Sequence, residues 1–228
     1  MQITEIFKSI QGEGTRAGLP CIFVRLTGCN LRCIWCDTAY AFYGGQKMSV
    51  DEVLARIDAL SGRAGAGKAS VPLVELTGGE PLLQEEIYPL AEGLLTAGYE
   101  VMIETSGERF VGRLPKDVIK IVDVKCPDSG EPDTFDSRNL AELAARDEVK
   151  FVISSRPDYE FAREFTRAHQ LTERVNQVVF SPVHEDPLRK WQGLPPRQLA
   201  EWILADGLGV RLGLQLHKIV WDPAMRGV

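Results

Sequence analysis

The stretch TGCNLRCIWCDT, residues 27–38, places Cys29, Cys33 and Cys36 within eight positions. Directly before it, CIFVRLTG (21–28) is a β-branched apolar run that reads as a strand delivering its end to the cysteine loop. From there strand and helix alternate. Residues 49–60 predict a helix with Val50, Val53, Leu54, Ile57 and Leu60 on one face and with Ser49 and Glu52 at capping-box spacing. VPLVEL (71–76) predicts a buried strand, followed by a helical stripe of Ile87, Leu90, Ala91, Leu94 and Leu95. The pattern continues through EVMIET, VIKIVDV, a helix over 139–147, VKFVIS, a helix over 157–169, NQVVFS and a helix over 196–205. Repeated βα units imply a parallel sheet, open or curled into a partial barrel, in which ligands gather where strands end in loops.

The 228 residues are read as one α/β domain, 1–228, long enough to bury a sizeable core. A formal charge of -6 argues against a nucleic-acid binder, which normally shows a basic face, and favours small-molecule chemistry. No apolar run approaches the roughly 20 residues of a membrane span, and MQITEIFKSIQGEG is too polar for a secretory signal, so the expected location is the cytoplasm. GRAGAGK (62–68) has the spacing of a phosphate-binding loop, but Ala69 stands where the magnesium-binding Ser or Thr belongs. The stretch also follows a helix instead of a strand, and it reads better as a Gly/Ala connector.

Three crowded cysteines make a poor disulfide framework and, in a reducing compartment, point to metal. Structural zinc usually takes four ligands in two separated pairs, and there is no second pair here; His169, His184 and His217 show no knuckle spacing to the loop. Cys21, at the far end of its strand, lies roughly 20 Å from the loop by strand rise and reads as a core residue, while Cys126 stays open as a further ligand. A cubane [4Fe-4S] cluster takes one cysteine per iron, so three cysteines leave one iron able to bind a small molecule.

The C-x3-C-x-aromatic-C spacing, with Trp35 before Cys36, resembles the motif of the radical S-adenosylmethionine superfamily, and LTGGEP (76–81) falls at the next predicted strand end, where that superfamily carries a GGEP-like motif. The resemblance implies that Cys29, Cys33 and Cys36 hold a [4Fe-4S] cluster, that the amino and carboxylate groups of S-adenosylmethionine chelate its open iron, and that Gly78, Gly79 and Glu80 hold the amino end. It adds Trp35, Ser106, Asp123, Val124, Lys125, and the Ser181, Pro182, Val183 and His184 loop to the S-adenosylmethionine site. It also implies a modified TIM-like partial barrel of β6/α3 type.

More narrowly, SIQGEG (9–14), FVRLTGCNLRC, CDT, LTGGEP, ETSG (104–107), DVKCP (123–127), DEVKFVI (147–153) and LQLHK (214–218) together resemble the 7-carboxy-7-deazaguanine synthases over nearly the whole chain. That family contracts the ring of 6-carboxy-5,6,7,8-tetrahydropterin with loss of ammonia in queuosine and deazapurine biosynthesis, by hydrogen abstraction from C6 after one-electron reduction by flavodoxin or ferredoxin. By this resemblance Ile10, Gln11, Gly12, Glu13, Arg25, Thr77, Gln215, His217 and the terminal Val228 line the pterin pocket, Thr38 ligates Mg2+, and the protein is a homodimer; no protein acid or base is assigned. Gln215 and His217, two apart on a predicted strand, are expected to face the pocket together. Taken alone, His217 also reads as a structural histidine, Thr38 as a turn cap and Lys150 as the flank of its strand. The rival readings are a glycyl-radical activating enzyme, which leaves SIQGEG and LQLHK unexplained, and a non-catalytic iron-sulfur or zinc protein.

Overall fold

The computed structural model describes residues 1–63, 67–185, 191–223 and 225–228. Strands β1 (Gln2–Ile10) and β2 (Pro20–Leu26) form an antiparallel hairpin, edged by the short β3 (Gln46–Lys47). Parallel to β2 follow β4 (Leu73–Gly78), β5 (Glu100–Thr105), β6 (Ile119–Asp123), β7 (Glu148–Ile153), β8 (Gln177–Pro182) and β9 (Arg211–Leu212), each paired with the next. The sheet order is β3-β1-β2-β4-β5-β6-β7-β8-β9, and it bends into a partial barrel. Helices α1 (Val50–Ser61), α2 (Ile87–Thr96), α3 (Asn139–Glu142), α4 (Arg156–Ala168), α5 (Leu171–Arg174), α6 (Pro196–Asp206) and α7 (His217–Val220) complete the chain.

Strand parity sorts the residues. Ile22, Val24, Leu26, Val74, Leu76, Val101 and Ile103 face outward and pack under Val53 and Ile57 of α1 and Ile87, Leu90 and Leu94 of α2. Val149, Phe151, Ile153, Val178 and Phe180 do the same under Tyr159 of α4 and Leu199 and Ile203 of α6. The inward set is layered along the barrel axis. Its lower layer is apolar, with Cys21, Leu73, Met102, Ile119, Ile121 and the partly buried Phe23. Above it, one pleat further along, come Arg25, Glu75, Thr77, Glu104, Asp123, Lys150 and Ser181, which open onto a cavity. The chain after β1 crosses to the far side of the barrel: Thr15 donates its backbone N–H, at 3.2 Å, and its hydroxyl to the buried Glu148 of β7, and Leu216 N–H donates to Gly12 carbonyl at 3.0 Å.

Three features differ from the sequence expectation. β1 had no assignment, because QITEIFKSI interleaves charges with apolar residues and its burial does not alternate cleanly. The helix expected over 139–147 stops at Glu142: Asp147 accepts from Ala144 N–H (2.8 Å) and Lys120 N–H (2.9 Å), which turns the backbone out of the helix and toward β7. The predicted strand over 214–218 is a turn running into α7, because Gly213 sits tight against β8, where a Cβ would come within 2.5 Å of Ser181 Oγ, and the chain then folds back on Gly12. The Gly/Ala connector falls partly on 64–66, outside the described residues.

One buried carboxylate ties the loops together. Asp158, at the start of α4, accepts from Asp128 N–H (2.9 Å), Ser154 N–H (2.9 Å) and Ser154 Oγ (2.7 Å). The neighbouring Ser129 carbonyl accepts from Ile34 N–H in the cysteine loop at 2.9 Å. Asp158→Ala strands buried donors and is expected to lower stability by about 3 kcal/mol, read as a lower denaturation midpoint at unchanged slope.

Candidate functional site

The upper end of the barrel opens into a cavity of about 780 Å³. The residues that line it come from the ends of the parallel strands, from the cysteine loop, from the segment after β1 and from the chain terminus, and they divide into two walls.

The first wall is the cysteine loop. It is pinned by Gly28 N–H to Ala41 carbonyl (2.8 Å), Cys36 N–H to Cys33 carbonyl (3.2 Å) and Glu80 N–H to Gly28 carbonyl (2.8 Å). Arg32 folds back to donate to the Cys29 carbonyl at 2.8 Å and lies over the Phe42 ring. Cys29, Cys33 and Cys36 are half-buried thiols on the cavity side, with Trp35 and Thr38 beside them. Burial pushes the Cys29 thiol up and the Cys33 thiol up to about 11, so as thiolates they require a cation. Gly79 lets the β4 end touch this loop: a Cβ there would stand 2.2 Å from the Gly28 carbonyl oxygen and 2.7 Å from Cys29 Cβ.

Gly78, Gly79, Ser106, Asp123, Lys125, Ser181, Pro182, Val183 and His184 all line the cavity next to this wall. Asp123 Oδ2 accepts from Lys125 Nζ at 2.6 Å. Burial opposes the Lys125 charge, but the Asp123 carboxylate and, after it, the Cys33 sulfur together outweigh it and hold the ammonium above its ordinary range. Two expected residues stand behind the surface. Glu80 is fully buried, and its carboxylate accepts from Leu82 N–H, Thr105 Oγ1, Ser106 N–H and Ser106 Oγ at 2.7–3.0 Å, so it builds the shelf that carries Ser106. Val124 falls between Asp123 and Lys125, and parity turns it into the outer core.

The second wall is polar and charge-paired. Ile10, Gln11, Gly12, Glu13, Arg25, Thr77, Gln215, His217 and Val228 all line it. Gln215 Nε2 donates to Glu13 Oε1 at 2.9 Å, and Gly12 admits the His217 ring, whose Nδ1 a Cβ would meet at 2.5 Å. Arg25 donates to Glu5 at 2.9 Å, as does the Tyr40 hydroxyl at 2.8 Å. Gln215 and His217 therefore share the wall as expected, but from a turn and a helix start in place of a strand. Burial lowers the His217 pKa, favouring the neutral ring.

Residues with no assignment from sequence hold this wall together. Lys150, read as a strand flank, is buried at the floor with Glu13 at 2.6 Å and Glu104 at 2.7 Å; these carboxylates outweigh the desolvation and raise its pKa well above the usual lysine range. Despite its own burial, Glu13 is held below the ordinary range by Lys150 and Gln215. Lys218 pairs with Asp37 at 2.7 Å, holding that carboxyl low against the pull of burial. The available signal was a charged residue at an inward position of an otherwise apolar strand, as in VKFVI, VELTG and VMIET.

The donor set fits an iron-sulfur cluster with S-adenosylmethionine: three thiols from one loop, a glycine approach beside them, and a buried Asp123 Oδ1 that has no hydrogen-bond partner among the described residues. A partial α/β barrel with this wall defines a radical S-adenosylmethionine protein, and residues 23–127 match the Radical SAM superfamily. The chain is 55% identical to a 7-carboxy-7-deazaguanine synthase of Koribacter versatilis over all of both chains, and 40% identical to one of Chlorobaculum tepidum over all of this chain and 97% of that one. Among solved structures, QueE from Escherichia coli superposes with a TM-score of 0.71 at 26% identity, over 94% of this chain and 93% of that one. The chain belongs to the 7-carboxy-7-deazaguanine synthase family.

Because the Gly79 contact with the cysteine loop leaves no room for a methyl group, Gly79→Ala is expected to displace Cys29. Iron and sulfide analysis after anaerobic reconstitution should show the variant losing most of its iron while keeping a wild-type far-UV spectrum.

Proposed function

We propose that this chain converts 6-carboxy-5,6,7,8-tetrahydropterin to 7-carboxy-7-deazaguanine with loss of ammonia, using a [4Fe-4S] cluster on Cys29, Cys33 and Cys36 and S-adenosylmethionine. The observation that carries this reading is the meeting of a thiol wall and a charge-paired polar wall across one cavity. When bound, the reduced cluster and S-adenosylmethionine supply hydrogen-atom abstraction. The protein's own residues bind, orient and shield.

Arg25, fixed by Glu5, offers a forked cation suited to the pterin carboxylate. Gln11, Glu13, Gln215 and neutral His217 give donors and acceptors for the amide and amine edges of the fused ring. Thr77 stands at the end of β4, where both walls meet. Thr38 is proposed as the protein ligand of a Mg2+ ion: it begins a short helical turn without a side-chain capping bond, so its hydroxyl is not used as a turn cap. Small-molecule turnover, a flavodoxin or ferredoxin as electron donor, a homodimer and a cytoplasmic location complete the proposal, the donor and the dimer resting on the family resemblance. Among the described residues no helix is long and apolar enough to cross a membrane.

Reconstituted enzyme with reductant, Mg2+, S-adenosylmethionine and the carboxylated tetrahydropterin should yield a deazapurine product by liquid chromatography and mass spectrometry. Absence of product with a fully loaded cluster would overturn the substrate. Arg25→Ala is expected to raise KM for the pterin roughly tenfold or more, as loss of a partly buried charge-assisted contact requires, without altering iron content.

A further inference from the structure

Beneath the polar wall lies a carboxylate that no ion pair among the described residues accounts for. Glu75 points inward from β4, 3% exposed, between the apolar layer and the cavity. Its partner is Gln11: the amide Nε2 donates to Glu75 Oε2. The orientation of that amide is not free, because its carbonyl oxygen accepts the Glu13 N–H at 3.0 Å. Gln11 is itself 4% exposed, and its backbone is closed by bonds to Gly18 and Leu19 at 2.8 Å. A chain of contacts therefore runs from the middle of β4 to Glu13, whose carboxylate meets both Gln215 and Lys150.

We propose that Glu75 is a positioning residue for the substrate pocket: its carboxyl group clamps the Gln11 amide, and through it the backbone of residues 11–13, in the conformation that binds the pterin. The inference deepens, and rests on, the reading of this cavity as the pterin site.

The charges facing Glu75 say in which form the clamp works. Arg25 and the Cys21 thiol face it from β2, Glu104 from β5, Lys150 and Glu148 from β7, and Glu13 from the segment after β1. Arg25 is engaged by Glu5, and the Lys150 ammonium by Glu13 and Glu104. Burial first, then Glu104 and Glu13, raise the Glu75 pKa well above the ordinary carboxyl range. These surroundings favour the neutral carboxylic acid, whose clamp a glutamine can imitate, since its side-chain oxygen accepts the same bond. The sign of the linkage follows. The folded protein holds the Glu75 proton more tightly than the unfolded chain, so this group's contribution to stability is full below the unfolded pKa and declines as pH rises toward the folded one.

The test compares wild type, Glu75→Leu and Glu75→Gln by calorimetric binding of 6-carboxy-5,6,7,8-tetrahydropterin, by KM and kcat, and by thermal unfolding from pH 5 to 8. Glu75→Leu frees the Gln11 amide and should weaken pterin binding and raise KM roughly tenfold or more, with a smaller change in kcat and unchanged iron. Glu75→Gln should restore binding to within about threefold of wild type, and its melting temperature should gain on wild type as pH rises. Unaltered pterin affinity in a folded Glu75→Leu would overturn the inference, as would a Glu75→Gln as weak as Glu75→Leu. If wild type itself fails to bind the pterin, the substrate reading falls first and takes the inference with it.

Discussion

A single buried ammonium organises the molecule. Lys150 enters the barrel from β7 and meets Glu104 of β5 and Glu13 of the segment after β1. Leaving any of these charges in the interior without its partner costs several kcal/mol, far more than a surface ion pair returns. The barrel can close only in the arrangement that brings all three together, which fixes where residues 11–13 lie and hence the shape of the polar wall. A fold held this way gains definition more than raw stability, because well-packed apolar residues would fill the same space at less desolvation.

The same layer explains why the cavity has a floor. Below it, Leu73, Met102, Ile119 and Ile121 pack with Cys21, whose thiol donates to its own strand at Ile22 carbonyl. Above it, every inward residue is ionised, hydrogen-bonded or open to the cavity. Moving one residue along β2, β4, β5, β6 or β7 would send a charge into the outer core and an apolar side chain into the pocket. Parity along six parallel strands, β2 and β4 through β8, therefore sets function as firmly as the loops do, and Val124 is the local illustration: its neighbours Asp123 and Lys125 reach the cavity while it packs beside Phe151.

Much of this was legible in the chain. The outward faces of β2, β4, β5, β7 and β8 announce themselves as β-branched runs, and α1, α2, α4 and α6 as stripes of period 3.6, because burial against one neighbour demands that spacing. The cysteine loop and the glycines of β4 were legible because their chemistry tolerates few substitutes. What stayed hidden depends on distant partners. β1 is a strand because β2 offers it a hairpin, not because its own residues alternate. Residues 214–218 have strand-like composition, yet the Gly12 carbonyl captures Leu216 N–H and starts a turn. Lys150, Glu104 and Glu75 are single charges in apolar strings, and nothing local says whether such a charge ends a strand or faces a counter-charge across the barrel.

The two walls also divide the chemistry by hardness. Sulfur donors stand on one side, where soft ligands suit iron; carboxylates, amides and guanidinium stand on the other, where they suit a polar heterocycle. Between them lies the Asp123–Lys125 pair at the end of β6, close enough to the thiols for the Lys125 charge to favour a thiolate at Cys33 while Asp123 opposes it. A lone lysine there would draw an anionic ligand onto the wrong wall, and a lone aspartate would repel the thiolates. The bonded pair leaves a nearly neutral boundary with one carboxylate oxygen, Oδ1, still unengaged among the described residues. A polar ligand that donates to Oδ1 therefore satisfies a buried acceptor that the protein leaves without a partner among its described residues.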